Sequence, residues 1–386
     1  MASPRSARLL VPVLVLVVLG GCTSGSDDVS DPTPTGPTGV STATCRLQAD
    51  KGVSGVEGNH FAAVAFVSPN DVWAVGSHFE VSKTGALAQH WDGSAWDTVL
   101  AGSQRYHGLQ LTDVAAIAHD DVVMVGFAGG GAVSLRWDGS SLSATPAARG
   151  FAGATFLGVA ARSATDLWAV GKATAAGGYD VPIAQRSDGS TWTAVTVPKP
   201  TAIAAGLHDV AVSGSNSAWA VGWSVNAQKI FRPLVEHWDG HAWTIRSIPA
   251  PTGDALLSGV AAAGPDDVWA VGWSWKQDAA TSLVLHWDGS AWSSVRLPGS
   301  GAVARLSTVA ADGDQVAVGG QAANDAGILQ PVALRLQGTT WTEHATPIEP
   351  GGGGFQGIAL AGRHGMIAAG VQLGAGGYAS LLQTGC

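Results

Sequence analysis

Four aromatic residues, Trp223, Phe231, Trp273 and Trp275, stand outside the regular pattern of this chain and are its strongest candidates for recognition. The three indoles follow the same Val-Gly step in two successive segments, Val221-Gly222-Trp223 and Val271-Gly272-Trp273-Ser274-Trp275, and Phe231 lies in the connection after the first. Exposed indoles suit stacking on a sugar ring or a hot spot for a protein partner, and Lys229, Lys276 and Asp278 would rim such a platform. The same indoles also suit a plainer role, because a residue directly after the glycine can simply extend packing.

A second group is polar. Thr112, Asp113, His208, Asp209, Ser258, Ser307, Thr308 and Gln356 all stand just before a recurrent valine or isoleucine, so equivalent segments bring them toward one place. Asp113, His208 and Asp209 would there form a small-ligand site or the wetted wall of a channel without a ligand. Glycosidase chemistry requires two carboxylates about 5–9 Å apart. A hydrolase or lyase acting on extracellular polysaccharide through Asp113 and Asp209 is therefore the enzymatic alternative to binding.

Other chemistry is poorly supplied. His90, His237 and His286 share one column with Arg136, Arg186 and Arg335, and a column repeated in six units is scaffold that pairs a turn carboxylate or stacks on tryptophan. The remaining histidines lack metal-ligand spacing, and no nucleophile elbow, P-loop or zinc signature occurs, so no cofactor and no metal are expected. The net charge is −9 and the 20 basic residues are scattered, which speaks against a nucleic-acid surface.

The elements that position these residues come from a long repeat. The Trp269 position recurs as Trp73, Val123, Trp168, Trp219, Val316 and Ile367, at steps of 45 to 51 residues. Each unit reads as four short strands, a to d. Strand a carries the column Val64, Val114, Val159, Val210, Val260, Val309 and Ile358; strand b is the Val-Trp-Ala-Val-Gly run; strand c leads into Trp-Asp-Gly, a hairpin signal; and strand d starts at the next tryptophan. Thirteen of the 16 tryptophans hold repeat positions and are packing residues. Apolar residues on both faces of strands a and b require sheets covered on both sides, and only 13% of residues are charged. The expected fold is all-β, a seven-bladed propeller of four-stranded blades. The seventh unit ends at Cys386 without a strand d, so the orphan segment Cys45 to Asp50 is expected to supply it. Variable loops, b to c and d to a, share one end of such a ring, where function is expected.

The Val-Gly ending of strand b (Val318-Gly319-Gly320 in the sixth unit), the aromatic-Asp pair closing strand c and the tryptophan after it resemble the kelch repeat, whose members fold as propellers. The resemblance covers residues 44–386, with Trp-Asp-Gly replacing the usual tyrosine-Asp pair. Ser187-Asp188-Gly189-Ser190-Thr191-Trp192 is similar to the Asp-box turn of sialidase-type propellers but lacks a residue between Ser and Asp. The copper site of galactose-oxidase-like propellers needs a tyrosine and histidine cluster. With only Tyr106, Tyr179 and Tyr378 present, it is not matched.

Before the repeats, Arg5 and Arg8 precede an apolar run from Leu9 to Leu19, shorter than the about 20 residues that cross a bilayer. Leu19-Gly20-Gly21-Cys22 resembles the bacterial lipobox, which implies a signal peptide over 1–21 and a diacylglyceryl anchor on Cys22 at the outer face of the cytoplasmic membrane. Residues 22–43 are rich in Ser, Thr, Gly and Pro and read as a flexible tether, and residues 44–386 as the propeller, expected to be monomeric. Cys45 and Cys386 bracket the folded part of an exported chain and are expected to form one disulfide. The expected function is binding of a protein partner or an envelope glycan. An architectural spacer without a ligand is the further alternative.

Overall fold

The computed structural model describes residues 39–41, 48–49, 58–80, 83–102, 108–129, 131–148, 153–249, 251, 253–276, 279–346, 351–362, 365–374 and 377–385. Cys22, Cys45, Asp278 and Cys386 lie outside them, and with them the expected lipid attachment and disulfide. Every repeat unit becomes one antiparallel sheet, and seven sheets form. Blade 5 shows the rule, with strand a at Asp254–Gly264, b at Asp267–Lys276, c at Ala279–Trp287 and d at Trp292–Ser294. The other innermost strands are Asn59–Ser68, Gln110–Ala118, Thr155–Ser163, Ala204–Gly214, Arg305–Asp312 and Gly353–Ala361, for blades 1, 2, 3, 4, 6 and 7. Each innermost strand touches those of both neighbouring blades, the seventh and first included, so the ring is closed.

Closure follows the expected route. Gln48–Ala49 pairs antiparallel with Gly377–Gly385 and supplies the outer strand of blade 7. One segment departs from the sequence reading: Gly39–Ser41, placed in the tether, adds a parallel fifth strand to blade 6 along Thr340–Thr342. The outer strand of a blade presents unpaired backbone groups, and any extended stretch can join it regardless of side chains.

Tryptophans join blade to blade. The strand b indole of one blade meets the strand c and d indoles of the next: Trp168 touches Trp238 and Trp243 at 5.0 Å each, and Trp219 touches Trp287 at 5.1 Å and Trp292 at 5.2 Å. Offset and edge-on contacts of this kind favour aromatic pairs. The His and Arg column supports the same indoles. His90 stacks on Trp73 with Nε2 2.8 Å from Asp71, His286 stacks on Trp269 with Nε2 2.9 Å from Asp267, and Arg136 holds Asp121 through two bonds of 2.7 Å. Blade 6 corrects one assignment. Leu336, not Arg335, faces Val316, and Arg335 falls one residue earlier, which turns its side chain to the opposite face, where it is buried.

The repeated glycine of strand b has a specific cause. All seven strands a carry a β-bulge at the same step, for example Leu207/Asp209 in blade 4 and Leu257/Gly259 in blade 5. The bulge brings a strand a carbonyl oxygen to between 1.9 and 2.2 Å of where a Cβ would stand on Gly76, Gly126, Gly171, Gly222, Gly272, Gly320 and Gly370. No other residue fits.

Candidate functional site

The bulge also explains the polar constellation. Thr112, His208, Ser258, Ser307 and Gln356 are the extra residues at the bulges, and Asp113, Asp209 and Thr308 directly follow them. Thr112 donates to the Phe156 carbonyl at 3.0 Å while Asp113 accepts the N–H groups of Val114 and Val159 at 2.8 and 2.7 Å. His208 and Asp209 repeat this from blade 4 to blade 5: Nδ1 donates to the Leu257 carbonyl at 2.8 Å, and the carboxylate accepts Val210 and Val260 N–H at 2.7 and 2.9 Å. Thr308 likewise accepts Ile358 N–H at 3.1 Å. Blades 2, 4 and 6 thus clamp blades 3, 5 and 7. The next positions, Gly158, Gly259 and Gly357, instead let the backbones of blades 4, 6 and 1 approach closely. Seven is odd, so the alternation breaks once, at Ala63.

These side chains sit deep in the ring yet keep partial contact with the channel. Burial, and then the charge of Asp209, hold the Asp113 carboxyl well above the usual range. Burial lifts Asp209 to about 6 against the pull of its two N–H donors, and lowers His208, which is neutral at pH 7. Both carboxylates have each oxygen engaged by a neighbouring backbone N–H, which gives them a role in holding the blades together. Among the described residues no group of three His, Cys, Asp or Glu side chains converges on a metal-sized site.

The aromatic candidates do come together. Phe231 lies 5.7 Å from Trp223 and 5.6 Å from Trp275, and Trp275 lies 6.4 Å from Trp273, a continuous array at the junction of blades 4 and 5. All four rings are half-buried. Their planes are tilted by 39° to 52°, so they form a cluster of tilted rings and not a flat platform for a sugar ring. Strand b of blade 4 (Ser217–Val225) ends beside strand c (Phe231–Trp238), which places Trp223 diagonally from Phe231. The Phe231 N–H donates to Asp254 at 2.7 Å and joins the two blades.

Gly253, Asp254 and Arg232 lie beside the array and were not singled out from the sequence. Arg232 donates to the Gly253 carbonyl at 2.6 Å. Gly253 has φ +83°, and a Cβ there would stand 2.8 Å from the Trp275 carbonyl oxygen and 3.7 Å from the Lys276 Cβ. An arginine at the start of a strand c after an aromatic residue was the available signal, but its blade contact is not local in sequence.

The array lies at the end of the ring that carries the b to c and d to a loops. Among the described residues six large hydrophobics are exposed, and five of them, Phe79, Tyr179, Ile203, Val303 and Ile328, lie at this same end. A separate open depression of about 420 Å³ lies on blade 6, lined by Ser300, Asn324, Gln330 and Glu343 among others. The buried His344 is among the residues that line this depression.

Neither a family model nor a curated protein sequence matches the chain. Among solved structures it is similar to "YCF48 bound to D1 peptide", at 15% identity and a TM-score of 0.56, over 92% of this chain and 99% of that one. It is also similar to a protein of unknown function from Dyadobacter fermentans DSM 18053, at 12% identity and a TM-score of 0.52, over 88% of this chain and 98% of that one. At such identities the likeness concerns the fold, a seven-bladed β-propeller.

Proposed function

We propose that this chain is a membrane-anchored extracytoplasmic propeller that binds a segment of a partner protein at the aromatic array between blades 4 and 5. The observation that carries this reading is the gathering of Trp223, Phe231, Trp273 and Trp275, four aromatics outside the repeat columns, into one half-buried array on the end of the ring that also holds most of the exposed large hydrophobics. Partly exposed aromatic side chains give protein interfaces their anchoring energy. The tilt of the rings favours an apolar side chain over a stacked sugar. A propeller neighbour described as bound to a peptide supports the same kind of partner. The anchoring part of the proposal is supported by the lipobox-like run Leu19-Gly20-Gly21-Cys22 after the apolar segment Leu9 to Leu19.

The test is a display selection of random peptides against the full chain, with affinities then measured by intrinsic tryptophan fluorescence. Selected peptides should lose at least roughly tenfold in affinity with Trp275→Ala or Trp273→Ala. Equal binding by wild type and both variants would reject the array as the site, and tighter binding of envelope glycans, measured in the same way, than of any selected peptide would reject the partner class. Cys22→Ser should move the chain from the membrane to the soluble fraction.

A further inference from the structure

We infer that the aromatic array selects acidic peptide segments through the positive charge of Lys229, Arg232 and Lys276; this deepens the protein-binding reading above and rests on it. The repeat provides its own control. Three b to c turns have the same hydrogen bonds: Ala175 with Tyr179 and Gly178, Asn226 with Ile230 and Lys229, and Asn324 with Ile328 and Gly327. Their fourth residue is left-handed in each case, Gly178 at φ +80°, Gly327 at φ +75° and Lys229 at φ +63°. Lys229 is the only non-glycine residue with positive φ among the described residues. Two sister turns show that the fold is satisfied by glycine there, whereas a lysine carries conformational strain that glycine avoids. The strained lysine occurs in the one turn of the three that leads directly into Phe231, and strain kept beside a recognition surface points to a contact made by that side chain.

Two further cations stand at the same place. The Arg232 guanidinium is fixed by its bonds to the carbonyls of Gly253, at 2.6 Å, and of Phe231, at 3.4 Å. Lys276 is exposed, with its Cβ beside Gly253. The carboxylate lying among them, Asp254, already accepts the Phe231 N–H. Acidic residues gather at the opposite end of the ring instead, where Asp92, Asp138, Asp188, Asp239 and Asp288 close the c to d turns. A chain of net charge −9 thus carries three cations close to its aromatic array. Arg232 and Lys276 meet at Gly253, and Lys229 stands two residues before Phe231, a local patch that fits a narrow acidic segment better than a broad anionic lipid surface.

The experiment uses the full chain and three sets of fluorescent 15-residue peptides with the same leucine and phenylalanine anchors, flanked by Asp and Glu, by Ser and Gln, or by Lys and Arg. The acidic set should bind most tightly, and its advantage should shrink as salt is raised. Lys229→Gly should weaken the acidic set roughly five- to tenfold without lowering the thermal midpoint, and Arg232→Gln should do likewise. Trp275→Ala should weaken all three sets. Equal affinity for the three sets, or no loss in either charge variant, would overturn the acidic preference and leave the protein-binding reading standing. Failure of every set, with no response to Trp275→Ala, would overturn both. Tighter binding to phosphatidylglycerol vesicles than to the acidic set, lost in the same charge variants, would replace the peptide with a lipid surface.

Discussion

Glu236 is fully buried in strand c of blade 4, and neither carboxylate oxygen has a hydrogen-bond partner. It faces Ala220 across the ladder, and the equivalent positions opposite strand b are Gln89, Leu135, Gln185, Leu285, Arg335 and Gln383. In blade 3 the Gln185 amide accepts the Ala148 N–H at 2.8 Å. Without such a partner, burial alone pushes the Glu236 carboxyl from 4.5 up to about 8. The native state therefore holds this proton at pH 7 while the unfolded chain has released it. Stability from the protonated group is fully present below pH 4.5 and is lost as pH rises through about 8. At ~1.4 kcal/mol per unit, the loss is about 3 kcal/mol at pH 7 and approaches about 5 kcal/mol above pH 8. Glu236→Gln keeps the shape and removes the titration. Urea unfolding at pH 4, 5.5, 7 and 8.5, followed by tryptophan fluorescence, should show the variant near wild type at pH 4 and about 3 kcal/mol more stable at pH 7. Two pH profiles that run parallel across this range would refute the reasoning, because a solvated or paired Glu236 would titrate alike in both states.

Two more outcomes test the ring itself. Gly272→Ala places a Cβ 2.0 Å from the Leu256 carbonyl oxygen and should cost about 3 kcal/mol or more, or abolish soluble expression; near-wild-type urea midpoints would show that the bulge yields. Asp209→Ala removes the acceptor of the Val210 and Val260 N–H groups and should cost about 1–3 kcal/mol for each N–H left unpaired. The same change removes one cause of the raised Asp113 carboxyl, which should titrate at lower pH in the variant, as followed by carboxyl NMR.

Blade number and strand order were legible because the repeat writes its turns in local chemistry: Trp-Asp-Gly forms a hairpin through Asp288, which accepts the N–H groups of Ser290 and Ala291. The outer strand of blade 7 could be placed by counting, since one unit lacked a strand and one segment lacked a unit. Arg335 was misassigned because blade 6 has no Trp-Asp-Gly to anchor the register, and a slip of one residue exchanges the faces of a strand. The aromatic array was half legible. The departures from the repeat named Trp223, Phe231, Trp273 and Trp275, but Arg232 and Gly253 join them through a contact between blades.

The sequence by itself determined a seven-unit all-β ring, its packing tryptophans and the residues that escape the pattern, because strand periodicity and turn chemistry act over a few residues. Only the tertiary structure decided that the polar column clamps alternate blades, that each strand b glycine answers a bulge, that the Glu236 carboxyl has no partner and that Arg232 and Phe231 reach across to Gly253 and Asp254 beside one aromatic array. Those outcomes depend on which side chains meet across neighbouring blades, about fifty residues apart along the chain, and distances of that kind are set by the closure of the ring.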